Sequence, residues 1–78
     1  MPPNVMSVEV TAPIPGKVIR VNSKVGDRVN EDTSVVTLES MKMEIEVYPT
    51  EKGIVKEILV KEGDFAEAGK VLAKLEGE

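Results

Sequence analysis

Apolar and polar residues alternate along short runs of this chain, and glycine or proline punctuates the runs. In Glu44-Ile45-Glu46-Val47 the two apolar side chains fall on one face of an extended backbone, the period of a half-buried strand. The same spacing recurs at Val36 and Leu38 and again at Ala73 and Leu75. Valine, isoleucine and threonine are frequent, as pleated surfaces favour. The pattern predicts eight strands, over 7–11, 17–21, 28–30, 34–39, 43–48, 54–58, 65–67 and 71–76. Alternation fails at Val18 and Val21, three apart, and fails again at Val55 and Ile58. That repeated break predicts a bend or bulge where each strand changes sheets. A helix over 55–59 is excluded by Gly53 and Gly63, which bracket it too closely, and Gly69 interrupts a second helix-friendly stretch.

The breaks recur because the chain repeats itself at an offset of 37 residues. Gly16 corresponds to Gly53, Val18 to Val55, Lys24 to Lys61, Gly26-Asp27 to Gly63-Asp64, and Leu38-Glu39 to Leu75-Glu76. Val10 falls on Val47, Val21 on Ile58 and Val35 on Leu72. Neither half carries an insertion, since the glycine spacing is equal in both. The expected fold is all-β, a flattened barrel or sandwich of two quasi-twofold-related four-stranded halves around one apolar core. Gly26 and Gly63 are expected at positive φ in tight turns, with Asp27 and Asp64 bonding nearby backbone donors. The residues joining the halves, 40–43, form a hairpin tip. Because Glu76 is the repeat partner of Glu39, both termini are expected at the end opposite Lys42.

Composition narrows the chemistry. A length of 78 residues allows one small domain. We read 7–78 as that domain and 1–6, which contains Pro2 and Pro3, as a flexible N-terminal segment. There is no cysteine and no histidine, which excludes disulfides, thiolate or imidazole metal sites, cysteine nucleophiles and Ser-His catalysis. The carboxylates are scattered without calcium-loop spacing, so no metal site is expected. A net charge of −4 and only two aromatics, Tyr48 and Phe65, argue against nucleic-acid binding. No apolar run approaches the roughly 20 residues of a membrane span, and no signal-peptide pattern opens the chain. A cytoplasmic protein with no direct membrane insertion is the expectation. Nothing brings a nucleophile, a base and an oxyanion donor together, so no catalytic residue is assigned.

The tip breaks a local rule. A tight hairpin ordinarily uses Asn-Gly, Asp-Gly or proline, and 40–43 has none of them. It sets Met41 and Met43 around Lys42. Taken singly, a turn lysine is a solvated charge, of which the chain has seven others, and a methionine fills core gaps. A departure from turn chemistry without structural gain points instead to function.

The segment Glu39-Ser40-Met41-Lys42-Met43, with the alternating strand after it, closely resembles the attachment site of biotinyl domains. The resemblance extends to Ala12-Pro13, Gly16-Lys17-Val18, Val25-Gly26-Asp27, Gly53-Ile54-Val55 and Glu62-Gly63-Asp64, and so covers about residues 7–76. The chain departs from the family pattern at Ser40, where alanine is usual, and it lacks the protruding thumb that some members insert. The resemblance implies a thumbless barrel-sandwich hybrid with biotin in amide linkage to Lys42. A free lysine, with a pKa of about 10.4, is a poor nucleophile at neutral pH. A biotin protein ligase would therefore supply an activated acyl-adenylate and deprotonate the amine. Met41 and Met43 would serve ligase recognition and positioning, and Glu39 would contribute to recognition. The arm would then swing a carboxyl group between a biotin carboxylase and a carboxyltransferase or decarboxylase subunit, tethered at an effective concentration of about millimolar. The domain would be a carrier within a carboxylase system and no enzyme by itself. Two alternatives stand beside this reading. A lipoyl carrier has a similar fold but flanks its lysine with aspartate and alanine, and an unmodified hybrid-barrel module has no need of Lys42.

Overall fold

The computed structural model describes residues 7–77, and the expected flexible segment over 1–6 lies outside them. Eight strands form: β1 (Ser7–Thr11), β2 (Gly16–Val21), β3 (Arg28–Val29), β4 (Val36–Ser40), β5 (Met43–Val47), β6 (Gly53–Ile58), β7 (Phe65–Ala66) and β8 (Val71–Gly77). No helix occurs among the described residues. Each strand lies where the alternation predicts it, with ends displaced by two residues at most. The largest displacement is at β4, which begins at Val36 and not at 34. A turn occupies the preceding residues: Thr33 N donates to the Asn30 carbonyl at 3.0 Å, and Asp32 N donates to Asn30 Oδ1 at 2.8 Å.

The strands assemble into two antiparallel sheets, ordered β1-β8-β6-β3 and β5-β4-β2-β7. The sheets are not the two halves of the sequence, because each sheet takes two strands from each half. The 37-residue offset exchanges β1 with β5, β2 with β6, β3 with β7 and β4 with β8, which converts one sheet order into the other. Registers follow the same rule: Val10 lies opposite Ala73 as Val47 lies opposite Val36, and Arg28 opposite Ile54 as Phe65 opposite Lys17. The halves therefore interlock, and neither has a core without the other.

The repeated breaks in alternation are β-bulges. Register shifts between Val18 and Arg20 on β2, and between Val55 and Glu57 on β6. The extra residue turns the strand's side chains by half a period, so apolar positions three apart both face inward. The expectation that these strands change sheets is corrected, since β2 stays between β4 and β7 and β6 between β8 and β3. What crosses between sheets is a turn. Gly26 and Gly63 each adopt φ 98°, and Asp27 and Asp64 each accept from the backbone N–H three residues earlier, at Lys24 and Lys61, at 3.0 Å. Each turn docks on the other half's bulge, with Gly26 N donating to the Val55 carbonyl and Gly63 N to that of Val18, both at 2.8 Å.

The core is aliphatic. Leu38, Leu72, Leu75, Val10, Val18, Val35, Val36 and Val55 are fully buried between the sheets, while Tyr48 and Phe65 remain outside. Burying a valine or leucine side chain is worth about 1.5–3 kcal/mol, and these eight dominate the stabilisation of a small domain.

The topology also fixes the two ends. Leaving the 41–42 turn along β5, the chain reaches Gly53, which lies against the Glu76 carbonyl beside Ser7. Leaving Ser7 along β1, it reaches Gly16, which lies against the Glu39 carbonyl beside the turn. Residues 7 and 77 thus share one end of the domain and Lys42 occupies the other.

Candidate functional site

Ser40 pairs with Met43, so Met41 and Lys42 form a two-residue hairpin turn at the apex of β4 and β5. Both turn residues are left-handed, with φ 52° at Met41 and 67° at Lys42. Two-residue hairpins prefer this geometry because its twist matches the strands, but side chains with a Cβ resist it at about 1 kcal/mol or more each. Asn-Gly would adopt the turn with less strain. The sequence instead keeps a lysine at its second position, where the side chain projects from the end of the sheet.

Lys42 is exposed, and among the described residues its amine makes no hydrogen bond or ion pair. Met41 is 92% exposed and Met43 62%, so neither fills the core. Two unbranched apolar side chains held in water beside an unpaired amine make an adaptable contact surface for another protein. The arrangement fits acylation of the amine: the nitrogen is reachable, and loss of its charge would leave no partner unpaired.

Glu39 stands apart from this apex. It pairs with Lys17 and Glu44, and its side chain shares with theirs the outer face of the sheet, opposite to the face of Ser40 and Met43. Its repeat partner Glu76 is held by Lys56 at 3.2 Å. The position matching Lys56 in the tip half is Ile19, so the Glu39 carboxylate is free among the described residues. The structure therefore brings Met41, Lys42 and Met43 together and leaves Glu39 available two residues before the turn, on the opposite face of the sheet from Met43.

Sequence reasoning missed a polar cluster behind the tip. Asn22 Nδ2 donates to Ser34 Oγ at 3.0 Å and to Thr37 Oγ1 at 2.9 Å. Thr37 Oγ1 in turn donates to Glu46 Oε1 at 2.9 Å, and Ser34 Oγ makes a short hydrogen bond to the same oxygen. These bonds, Ser34 before Thr37, hold the Glu46 carboxyl below the ordinary glutamate range, with a smaller contribution from Arg20. Arg20 also pairs with Glu44 at 3.2 Å on the same face. The signal in the sequence was that Asn22, Ser34 and Thr37 stand at positions where the repeat does not hold. Among the described residues no group of three His, Cys, Asp or Glu side chains is placed to hold a metal ion.

Comparison with known proteins places this geometry. Residues 8–75 match the biotin/lipoyl attachment family, described as biotin-requiring enzyme. The chain is 44% identical over 66 residues to a biotin/lipoyl attachment protein of Bacillus subtilis, covering 85% of this chain and 90% of that one. It is 47% identical over 60 residues to the dihydrolipoyllysine-residue acetyltransferase component of the pyruvate dehydrogenase complex of Cupriavidus necator, covering 77% of this chain but 11% of that protein. Among solved structures, the urea carboxylase of Kluyveromyces lactis superposes with a TM-score of 0.84 at 33% identity, covering 90% of this chain and 6% of that one. The chain thus spans almost all of one relative and a small part of two large enzymes.

Proposed function

The chain belongs to the biotin/lipoyl attachment family, a carrier domain found within larger enzymes, and from that premise we propose that it is a biotin carboxyl carrier modified at Lys42. Members of this family hold a covalent cofactor, and relatives of both the carboxylase and the lipoyl kind match this chain. The observation that carries the choice of biotin is the apex itself: a free lysine flanked by two exposed methionines, as in biotinyl domains, without the aspartate of lipoyl ones. The carboxylase among the structural neighbours favours the same choice.

In this reading each residue has a limited task. Lys42 offers its amine to a biotin protein ligase and then bears the cofactor on its flexible stem. Met41 and Met43 present the ligase with apolar contacts around the amine, and Glu39 contributes a free carboxylate on the neighbouring face. The left-handed turn holds the lysine at the outermost point of the hairpin. When attached, biotin supplies a ring nitrogen that takes up and releases a carboxyl group. The domain contributes reach and tethering, with residues 7 and 77 at the end opposite Lys42, so that tethering there leaves the tip unobstructed. The partners we propose are a biotin protein ligase, a biotin carboxylase, and a carboxyltransferase or decarboxylase subunit.

Incubation with a biotin ligase and, separately, a lipoate ligase, each followed by intact mass measurement, tests the reading. The expected result is one biotin increment per chain, none from lipoate, and none on Lys42→Ala. Biotin on Lys42→Ala, or lipoate alone on the unaltered chain, would overturn it.

A further inference from the structure

Three of the four members of the polar cluster behind the tip stand where the repeat is broken. At the 37-residue offset, Asn22, Ser34, Thr37 and Glu46 correspond to Leu59, Val71, Lys74 and Glu9, which belong to the other sheet or the segments flanking its strands. Leu59 and Val71 have no side-chain hydrogen-bonding group, so only the sheet that carries Lys42 can form the cluster. The two sheets share the same strand order and the matching bulges on β2 and β6, and the sheet of β1 and β8 forms without such a cluster, so the fold itself does not require it.

The bonds run in one direction. The two N–H groups of Asn22 go to two hydroxyls, and both hydroxyls donate to the single oxygen Glu46 Oε1. An ionised carboxylate accepts both, so every donor in the ring has a partner. Thr37 is fully buried although its side chain points away from the core face, which means the cluster covers it. Mechanically, the ring reaches from the residue following β2, across β4, to β5. β5 is an edge strand, paired through its backbone on one side only. It is also the strand through which Lys42 is held in a strained left-handed turn. An edge strand with a strained turn at its end is prone to open locally.

We propose that Glu46, together with Asn22, Ser34 and Thr37, is a positioning cluster that clamps β5 and thereby fixes the Lys42 turn in the geometry a modifying enzyme recognises. Glu46 is a positioning residue, since it acts through β5 and lies four residues beyond the lysine. The inference rests on the reading of Lys42 as a modified residue, but its mechanical part stands without it. If the competent turn is populated only part of the time, the apparent affinity of the modifying enzyme falls by that fraction while its turnover on bound carrier is unchanged.

The test compares the repeat-related pair Glu46→Gln and Glu9→Gln, with Ser34→Ala as a milder variant that removes one of the two hydroxyls. Amide hydrogen exchange is measured on each full chain, together with KM and kcat for labelling by a biotin ligase. In Glu46→Gln, exchange over 43–47 is expected to quicken by about ten-fold and KM to rise by about three- to ten-fold, with kcat unchanged. Ser34→Ala should shift both in the same direction by less, and Glu9→Gln should shift neither. Loss of a cluster that only adds global stability would quicken exchange evenly across the whole domain, leaving KM alone. Such a pattern, or exchange and KM within about two-fold of the unaltered protein, would overturn the proposal. Failure of the unaltered chain to accept biotin removes the biotin reading, while the exchange comparison still decides whether the clamp exists.

Discussion

Two glycines related by the repeat, Gly16 and Gly53, allow the same perturbation to be made at both ends of the domain. Neither needs a left-handed backbone, so alanine is conformationally acceptable at both. Space is the obstacle. A Cβ on Gly16 would lie 2.9 Å from the Glu39 carbonyl oxygen, and one on Gly53 would lie 2.7 Å from that of Glu76. Each contact is with backbone of the adjacent strand, which cannot rotate away as a side-chain end would. Forcing one extra carbon into such a place costs about 1–3 kcal/mol. The lower entropy of the unfolded alanine chain offsets about 0.4–1 kcal/mol of that. The net loss is therefore about 1.5 kcal/mol for each variant, a drop in melting temperature of roughly 6–12 °C for a domain of this size. The contact distances order the two, with Gly53→Ala the more affected. Their functional consequences should diverge, because Glu39 lies three residues before Lys42 whereas Glu76 lies at the far end. Thermal melts followed by circular dichroism, paired with ligase labelling well below the transition, provide the assay. Slower labelling is expected for Gly16→Ala alone. Melting temperatures equal to or above that of the unaltered protein would refute the steric argument, and equal labelling losses in both variants would refute the assignment of ends.

Other consequences follow from the same geometry. Met41→Asn should relieve the left-handed turn and raise the melting temperature by a few degrees (about 0.5–1 kcal/mol) while lowering ligase labelling, the outcome required by the proposal that the ligase contacts Met41; a parallel gain in both would contradict this. Leu38→Ala removes a fully buried side chain of β4 and should cost about 2–5 kcal/mol in chemical denaturation, enough to unfold much of a small domain. The Glu46 carboxyl is held below its unfolded pKa, so its contribution to stability is fully present above about 4.3 and is lost as pH falls through the lower folded value. The melting temperature of Glu46→Gln should accordingly lie below that of the unaltered protein at pH 7, with the gap closing toward pH 3; a gap independent of pH would remove the ionised carboxylate as its cause. Asp27→Ala and Asp64→Ala, each losing a bond to a turn N–H, should cost about 0.5–1.5 kcal/mol apiece and nearly equally, as the repeat requires.

Much of this architecture was legible before any coordinate. Period-two alternation located the strands, because a strand between water and a shared core must alternate. The repeat located the turns, since Gly26 and Gly63 had the same aspartate after them and the same task. Bulges were legible as repeated failures at Val18 and Val55. Their effect was misread, because a break in period reveals an extra residue but not which neighbours the strand keeps. Lys42 stood out through turn chemistry that suits no ordinary hairpin, and Met41 and Met43 through their place beside it. The cluster of Asn22, Ser34, Thr37 and Glu46 was not legible, because its members are scattered along the chain and each has an ordinary role as a surface polar residue. The places where the repeat fails were visible, but only the sheet register shows that they meet.

The sequence by itself thus determined the strand set, two equivalent halves around one core, and the lysine at their junction opposite the ends of the repeat, because these depend on local period and on a repeat that any alignment of the chain with itself reveals. Tertiary structure decided which strands became neighbours, how the two halves interlock in shared sheets, and how the polar residues of β4, β5 and the segment after β2 converge. Those are long-range relations, set by packing two sheets over one set of aliphatic side chains, and local pattern carries no record of them.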